Sequence, residues 1–182
     1  MRTDSFLCKH QADRKDSKWA LSVSDDMHDV WNAMVKRRKC DLLVWTAGRD
    51  GVFKKDTLLQ LACRMARETP LHDGGRTWDL LDHASKLLVD ISERWANGDV
   101  TWEEKIKAGS VFFNDSNNPK NKNLNPAIYL ADIPISLSSV SEAAVKAAVD
   151  YASKFAYPIK EAEAAARAAH TKMIADLGNP FK

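Results

Sequence analysis

The side chains best suited to acid–base chemistry lie between positions 72 and 83. His72, Asp73, Asp79, Asp82 and His83 surround a Gly74-Gly75 turn, and a carboxylate beside an imidazole is the minimum for general acid–base catalysis. Such a set would serve a small hydrolase built on His72, Asp79 and His83. Asp79 and Asp82 also fall in the first turns of a predicted helix, where the helix dipole favours negative side chains without any catalytic role. Cys8 and His10 could share a metal, yet structural zinc takes four ligands and nothing nearby completes the set. The chain carries no G-x-x-x-x-G-K-[ST], G-x-G-x-x-G, H-E-x-x-H or G-x-S-x-G motif. The expectation is a non-enzyme with no catalytic residue, metal or cofactor.

Binding chemistry is better represented. Lys36-Arg37-Arg38-Lys39 is a compact basic run at the predicted end of a helix, able to meet phosphates or an acidic protein surface; the negative C-terminal end of the helix dipole would favour the same charges. Of the six tryptophans, Trp19, Trp31, Trp45 and Trp95 fall on apolar stripes and read as core. Trp78 and Trp102 stand near helix starts among charged neighbours, as interface anchors do. Asn117, Lys120 and Lys122 lie in a stretch, Asn114 to Asn125, with six asparagines in twelve residues. Asparagine side chains compete with the backbone for hydrogen bonds, so this segment predicts an exposed loop, running on to about Ser138.

The elements that would position these groups are helical. Residues 1–23 are polar and aperiodic and read as an extended arm, with room for a short strand at 19–23. Ser24 predicts the cap of a helix reaching about Lys39, in which Met27, Val30, Trp31, Met34 and Val35 recur at helical spacing. Asp41 would cap a shorter helix ended by a left-handed Gly48. Asp56 opens a third, with Leu58, Leu59, Leu61, Ala62, Met65 and Ala66 on one stripe, stopped by Pro70. The span from Arg76 to Ala96 holds Leu80, Leu81, Ala84, Leu87, Leu88, Ile91 and Trp95 at 3/4 spacing and predicts a single central helix. Thr101 with Glu104, and Ser139 with Glu142, are capping boxes opening helices at 102–113 and 140–156. Phe155 is grouped with the apolar residues of the second of these. Pro158 begins a last helix to 177, with Ala162, Ala165, Ala166, Ala169, Met173 and Leu177 as its buried face.

These stripes predict an all-α, single-domain bundle over residues 1–182, of six or seven helices. It has an N-terminal arm at 1–23, an exposed loop at 114–138 and an Ala-rich hairpin at 139–177. The helices at 24–47 should pack on the hairpin of 56–69 and 76–97. Composition agrees with a folded domain: 45% of the residues are apolar, and Lys+Arg 27 against Asp+Glu 25 leaves a formal charge of +2, too balanced for the field of a typical nucleic-acid binder. Three widely spaced cysteines, Cys8, Cys40 and Cys63, predict reduced thiols in cytoplasm. No stretch approaches the roughly 18 apolar residues of a membrane span.

Three segments carry a resemblance: Asp41-Leu-Leu-Val-Trp45-Thr-Ala-Gly48-Arg49, Leu59-Gln-Leu-Ala-Cys63-Arg-Met-Ala66-Arg67, and Ile91-Ser-Glu-Arg94-Trp95-Ala96-Asn97-Gly98-Asp99-Val100-Thr101-Trp102-Glu103-Glu104. With the alanine-rich helices that follow, this order resembles the immunity proteins found beside bacterial polymorphic toxins, an all-helical family. The likeness covers well under half the chain and is most specific over Glu93 to Glu104. It implies stoichiometric neutralisation of a protein partner, a toxin, effector or host enzyme, and supplies no catalytic residue. A phage- or plasmid-encoded inhibitor of a host defence enzyme, a nucleic-acid binder using the basic run and the small hydrolase are the alternatives.

Overall fold

The computed structural model describes residues 1–115, 125–130 and 136–182, and they form an all-α bundle. The described residues hold ten α-helices: α1 (Thr3–Lys9), α2 (Arg14–Val23), α3 (Met27–Lys36), α4 (Cys40–Ala47), α5 (Lys55–Glu68), α6 (Thr77–Leu80), α7 (His83–Ala96), α8 (Trp102–Asp115), α9 (Leu137–Lys154) and α10 (Ile159–Ala175). A 3₁₀ turn spans Pro126–Leu130. Among the described residues β pairing is confined to two isolated bridges, Arg2 with Asp26 and Pro70 with Arg76. No described helix is long and apolar enough to cross a membrane.

The N-terminal segment corrects the sequence expectation. It is two helices, not an extended arm, and residues 19–23 lie in the second. Asp13 caps α2 by accepting from the N–H groups of Lys15 (2.7 Å) and Asp16 (2.9 Å). Phe6 of α1 is buried edge-on against Trp45 and Phe181, with ring centroids 6.2 and 5.3 Å away. Each helix buries only a few apolar groups, so tertiary burial supplies what a short, weak periodicity could not signal.

Several boundaries move because a different side chain caps. Asp26, not Ser24, accepts from the His28 N–H and begins α3. That helix stops at Lys36, since Arg38 turns left-handed at φ 52°. Asp41 lies inside the first turn of α4 and pairs with Arg167 instead of capping. Gly48 ends α4 with φ −75°, so the left-handed glycine expected there is absent. Thr101 and Glu104 do form the expected box, Glu104 accepting from the Thr101 N–H at 2.7 Å and Thr101 Oγ1 from the Glu104 N–H at 3.3 Å. Ser139 and Glu142 do not. Ser136 caps α9 by accepting from the Ser139 N–H, and Glu142 pairs with Lys146.

The span expected to be one central helix is broken at Leu81, whose backbone is extended, because Asp82 accepts from the Ser85 N–H at 2.7 Å and starts α7 afresh. Leu80 and Leu87, assigned to its apolar stripe, are exposed. The central element is α5, with Leu59, Leu61, Ala62, Cys63, Met65 and Ala66 buried and α7, α9 and α10 packed around it. A helix buried on most of its circumference belongs in the middle of a bundle. The short α4 packs mainly on α10, α9 and α3, within the same buried cluster as α5 and α7. In the closing hairpin Ala143, Ala144, Ala147, Ala148 and Ala152 of α9 are buried with Ala162 and Ala166 of α10, allowing close axis approach. Ala165 and Leu177, expected on the buried face of α10, are exposed. The segment expected as a loop is in part core: Ala127 and Leu130 are fully buried against α5, α7 and α9.

Candidate functional site

The α9–α10 turn presents a packed aromatic cluster to solvent. Phe155 caps α9, Ala156 takes a left-handed φ of 55°, and Tyr157 N–H returns to the Ala152 carbonyl at 3.1 Å before Pro158 admits the chain to α10. This puts Phe155, 61% exposed, and Ile159, 50% exposed, on the outer face of the turn. Phe155 was expected to pack with α9's apolar residues; its place beyond the last helical residue turns it outward instead. The ring of His72 inserts among Tyr157, Tyr151 and Phe155 at centroid distances of 4.8, 5.3 and 5.4 Å. Tyr151 and Phe155 also touch, at 5.0 Å.

The 71–75 loop holds the cluster from below. Tyr151 Oη–H donates to Asp73 Oδ2 at 2.8 Å, and Asp73 Oδ1 accepts from the Gly75 N–H at 3.0 Å. These two bonds, the tyrosine's first, hold the Asp73 carboxyl below its ordinary pKa. His72 Nδ1 is buried with no hydrogen-bond partner among the described residues. A left-handed alanine costs about 1–2 kcal/mol, part of which glycine would return through its greater unfolded-state freedom. Ala156→Gly is expected to stabilise the fold by roughly 0.5–1 kcal/mol in urea unfolding; no gain would mean that the strain at Ala156 does not exceed glycine's entropic cost.

The residues singled out by sequence are distributed over other faces. Lys36, Arg37, Arg38 and Lys39 are all exposed and form the α3–α4 corner, not one helical turn. Arg37 and Lys39 lie 5.9 and 5.5 Å from the Trp19 ring centroid. Asp16 and Asp41 stand close by on a neighbouring cleft, so the corner is flanked by negative charge. Trp78 is half-buried under the Arg67 guanidinium, 3.9 Å from its ring centroid, and Arg67 is itself tied to Glu93 and Asp90. Trp102 is 40% exposed and leans on Trp95 at 5.3 Å. Asn117, Lys120 and Lys122 lie outside the described residues.

The acid–base set is not assembled for catalysis in any contact on view. Asp79 Oδ2 accepts from the Arg76 N–H at 2.8 Å, Asp82 caps α7, and Asp73 closes the glycine turn. His83 is exposed at the first position of α7, and no hydrogen bond or ring contact joins it to the others among the described residues. No described group of three or more His, Cys, Asp or Glu is arranged to hold a metal. Cys8 is exposed, while Cys40 and Cys63 are buried and burial pushes both thiols up.

A hydrogen-bonded histidine that sequence reading missed lies deeper. His170 of α10 is fully buried between Thr69 Oγ1, 2.7 Å from Nε2, and Ser141 Oγ, 2.8 Å from Nδ1. Thr69 already donates to the Met65 carbonyl at 2.7 Å, so it accepts from Nε2–H, leaving Nδ1 to accept from Ser141. Ser141 lines a cleft of about 500 Å³ with Asp13, Asp16, Asp41, Glu142 and Arg167. A serine on a histidine is the beginning of nucleophilic catalysis. Here, however, the third group is a neutral threonine, and burial followed by the Arg167 charge pushes the imidazole down to about 4, a poor base at neutral pH. What the geometry does is tie α5, α9 and α10 together.

No family model, curated protein or solved structure matches this chain.

Proposed function

We propose that this protein acts by stoichiometric binding of another protein, with the α9–α10 aromatic turn as its principal contact and the Lys36–Lys39 corner and Trp102 as further contact candidates. The observation that carries this reading is the exposure of Phe155 and Ile159 on a turn already fixed by His72, Tyr151 and Tyr157. Aromatic anchors immobilised before binding lose little conformational entropy on association, and such residues dominate interface energetics. The immunity-like resemblance supplies the role, neutralisation of a toxin or effector; inhibition of a host defence enzyme would use the same surface. Nucleic acid is a poorer fit, because carboxylates flank the basic corner and would oppose a phosphate backbone.

The test pairs the wild type with Phe155→Ser/Ile159→Ser. Both side chains are largely exposed, so the variant should stay folded, with a midpoint lowered only by the loss of the Phe155 ring contacts to His72 and Tyr151. A partner recovered from the native host at 1:1 stoichiometry should bind the variant more than tenfold more weakly and lose activity only when the wild type is added. Equal affinity of the two forms, or a partner whose activity the wild type leaves intact, would overturn the proposal. Steep loss of binding with salt, relieved by charge reversal at Arg37 and Arg38, would favour the nucleic-acid alternative.

A further inference from the structure

The far end of α9, eighteen residues or about 27 Å from the aromatic turn, borders a cavity of about 620 Å³. Its inner wall is apolar: Phe53, Leu58 and Leu59 from the approach to α5 and its first turns, Trp95 from the end of α7, and Leu137 from the start of α9. A volume of this order holds a small organic molecule, and ligand sites of this kind join an apolar wall to a few fixed polar groups.

Arg49 is the fixed polar group. It is half-buried on the cavity wall, its Nε donates to the Trp45 carbonyl at 3.0 Å, and its guanidinium lies 4.8 Å from the Trp45 ring centroid. Among the described residues its recorded hydrogen bond is the one from Nε to Trp45, and no ion pair to a carboxylate is formed. The other ionisable groups on the cavity are Lys55, Asp50 and Asp56, all exposed at the rim, and His10, whose imidazole burial holds below its ordinary value. The half-buried charge on the lining is therefore positive and planar, with no carboxylate partner among the described residues, and a guanidinium edge of this kind pairs with a carboxylate through two parallel bonds.

We propose that this cavity binds a small amphipathic carboxylate, its apolar body against Phe53, Leu58, Leu59 and Trp95 and its head on the open edge of Arg49. The site is independent of the protein-binding surface and stands or falls apart from it.

Three eight-carbon probes separate the contributions: octanoate, octanol and octyltrimethylammonium, each titrated into the full chain by calorimetry. Octanoate should bind about tenfold more tightly than either of the others, the gain expected of one charged paired contact. Arg49→Gln should abolish that preference while leaving octanol binding unchanged, and Arg49→Lys, which keeps the charge without the fork, should restore part of it. Leu58→Trp, which fills the half-buried wall, should weaken all three. On the wild type, octanoate should shift the Trp95 indole resonance and leave those of Trp19 and Trp78 in place. No saturable octanoate binding up to about 5 mM, octanol or the ammonium probe binding as well as octanoate, a preference that survives Arg49→Gln, or shifts at Trp19 or Trp78 instead of Trp95 would each overturn the proposal.

Discussion

Acidification toward pH 4 is expected to remove roughly 3 kcal/mol from the fold through one side chain, His170. In the native state burial keeps its imidazole neutral down to about 4, while the unfolded chain takes up that proton near the free value of 6.5. Between those limits the unfolded state binds more protons, so stability is fully present above about 6.5 and declines as the pH falls toward 4. Protonation of the native form would also remove Nδ1 as the acceptor for Ser141. Urea unfolding at a series of pH values measures the slope. His170→Gln should lower stability at neutral pH, because an amide cannot hold both the Thr69 and Ser141 hydroxyls in the same geometry, and should flatten the acid limb. An acid limb unchanged in that variant would show that other groups carry the dependence.

Replacing Lys105 with methionine is expected to raise stability by about 2 kcal/mol. This lysine of α8 is 3% exposed, and its Nζ has no hydrogen-bond acceptor among the described residues. Its ammonium lies 4.4 Å from the Trp95 ring centroid and 5.6 Å from that of Trp102. Cation–π attraction of about 1–2 kcal/mol offsets only part of the several kcal/mol that an unpaired buried charge costs. Burial pushes the Lys105 pKa down, so the unfolded state binds the proton more tightly and stability should climb as the pH rises through the folded value toward 10.5. Methionine keeps the length and the contact with both indoles while removing the charge. A loss of stability in Lys105→Met would mean that the two rings, or a group beyond them, hold the ammonium more strongly than burial penalises it.

The long helices were legible because their apolar side chains recur over several turns: Leu59 to Ala66 on α5 and Ala143 to Ala152 on α9 announce their buried faces without help. The segments that escaped depend on partners remote in sequence. Phe6 gives no periodic signal by itself, and its burial follows only once Trp45 and Phe181 arrive beside it. Leu130 sits in a polar, asparagine-rich neighbourhood whose composition argues for a surface loop, yet the space between α5, α7 and α9 accepts it. The break at Leu81 was signalled by Asp82, a cap residue read as a charge favoured by the helix dipole.

The candidate site was less legible than the fold. Of the residues named from sequence, Trp102 is exposed as expected, but the basic run belongs to a corner instead of a helical turn. Phe155 is grouped by sequence with the apolar residues of the 140–156 helix; whether it faces inward depends on the residue at which α9 stops. His170 was passed over because a lone histidine on a helix gives no hint of hydroxyls supplied by α5 and α9. In both cases the decisive information is relative helix position, which local spacing does not contain.

The unequal burial of the three thiols has a practical side. Cys40 and Cys63 are buried inside the bundle while Cys8 is exposed on α1, two residues before His10 on the lining of the Arg49 cavity. A maleimide dye should thus attach to the native chain at one position without mutagenesis. Its emission would then report on whatever enters beside Trp95, in the same sample used to follow assembly with a partner.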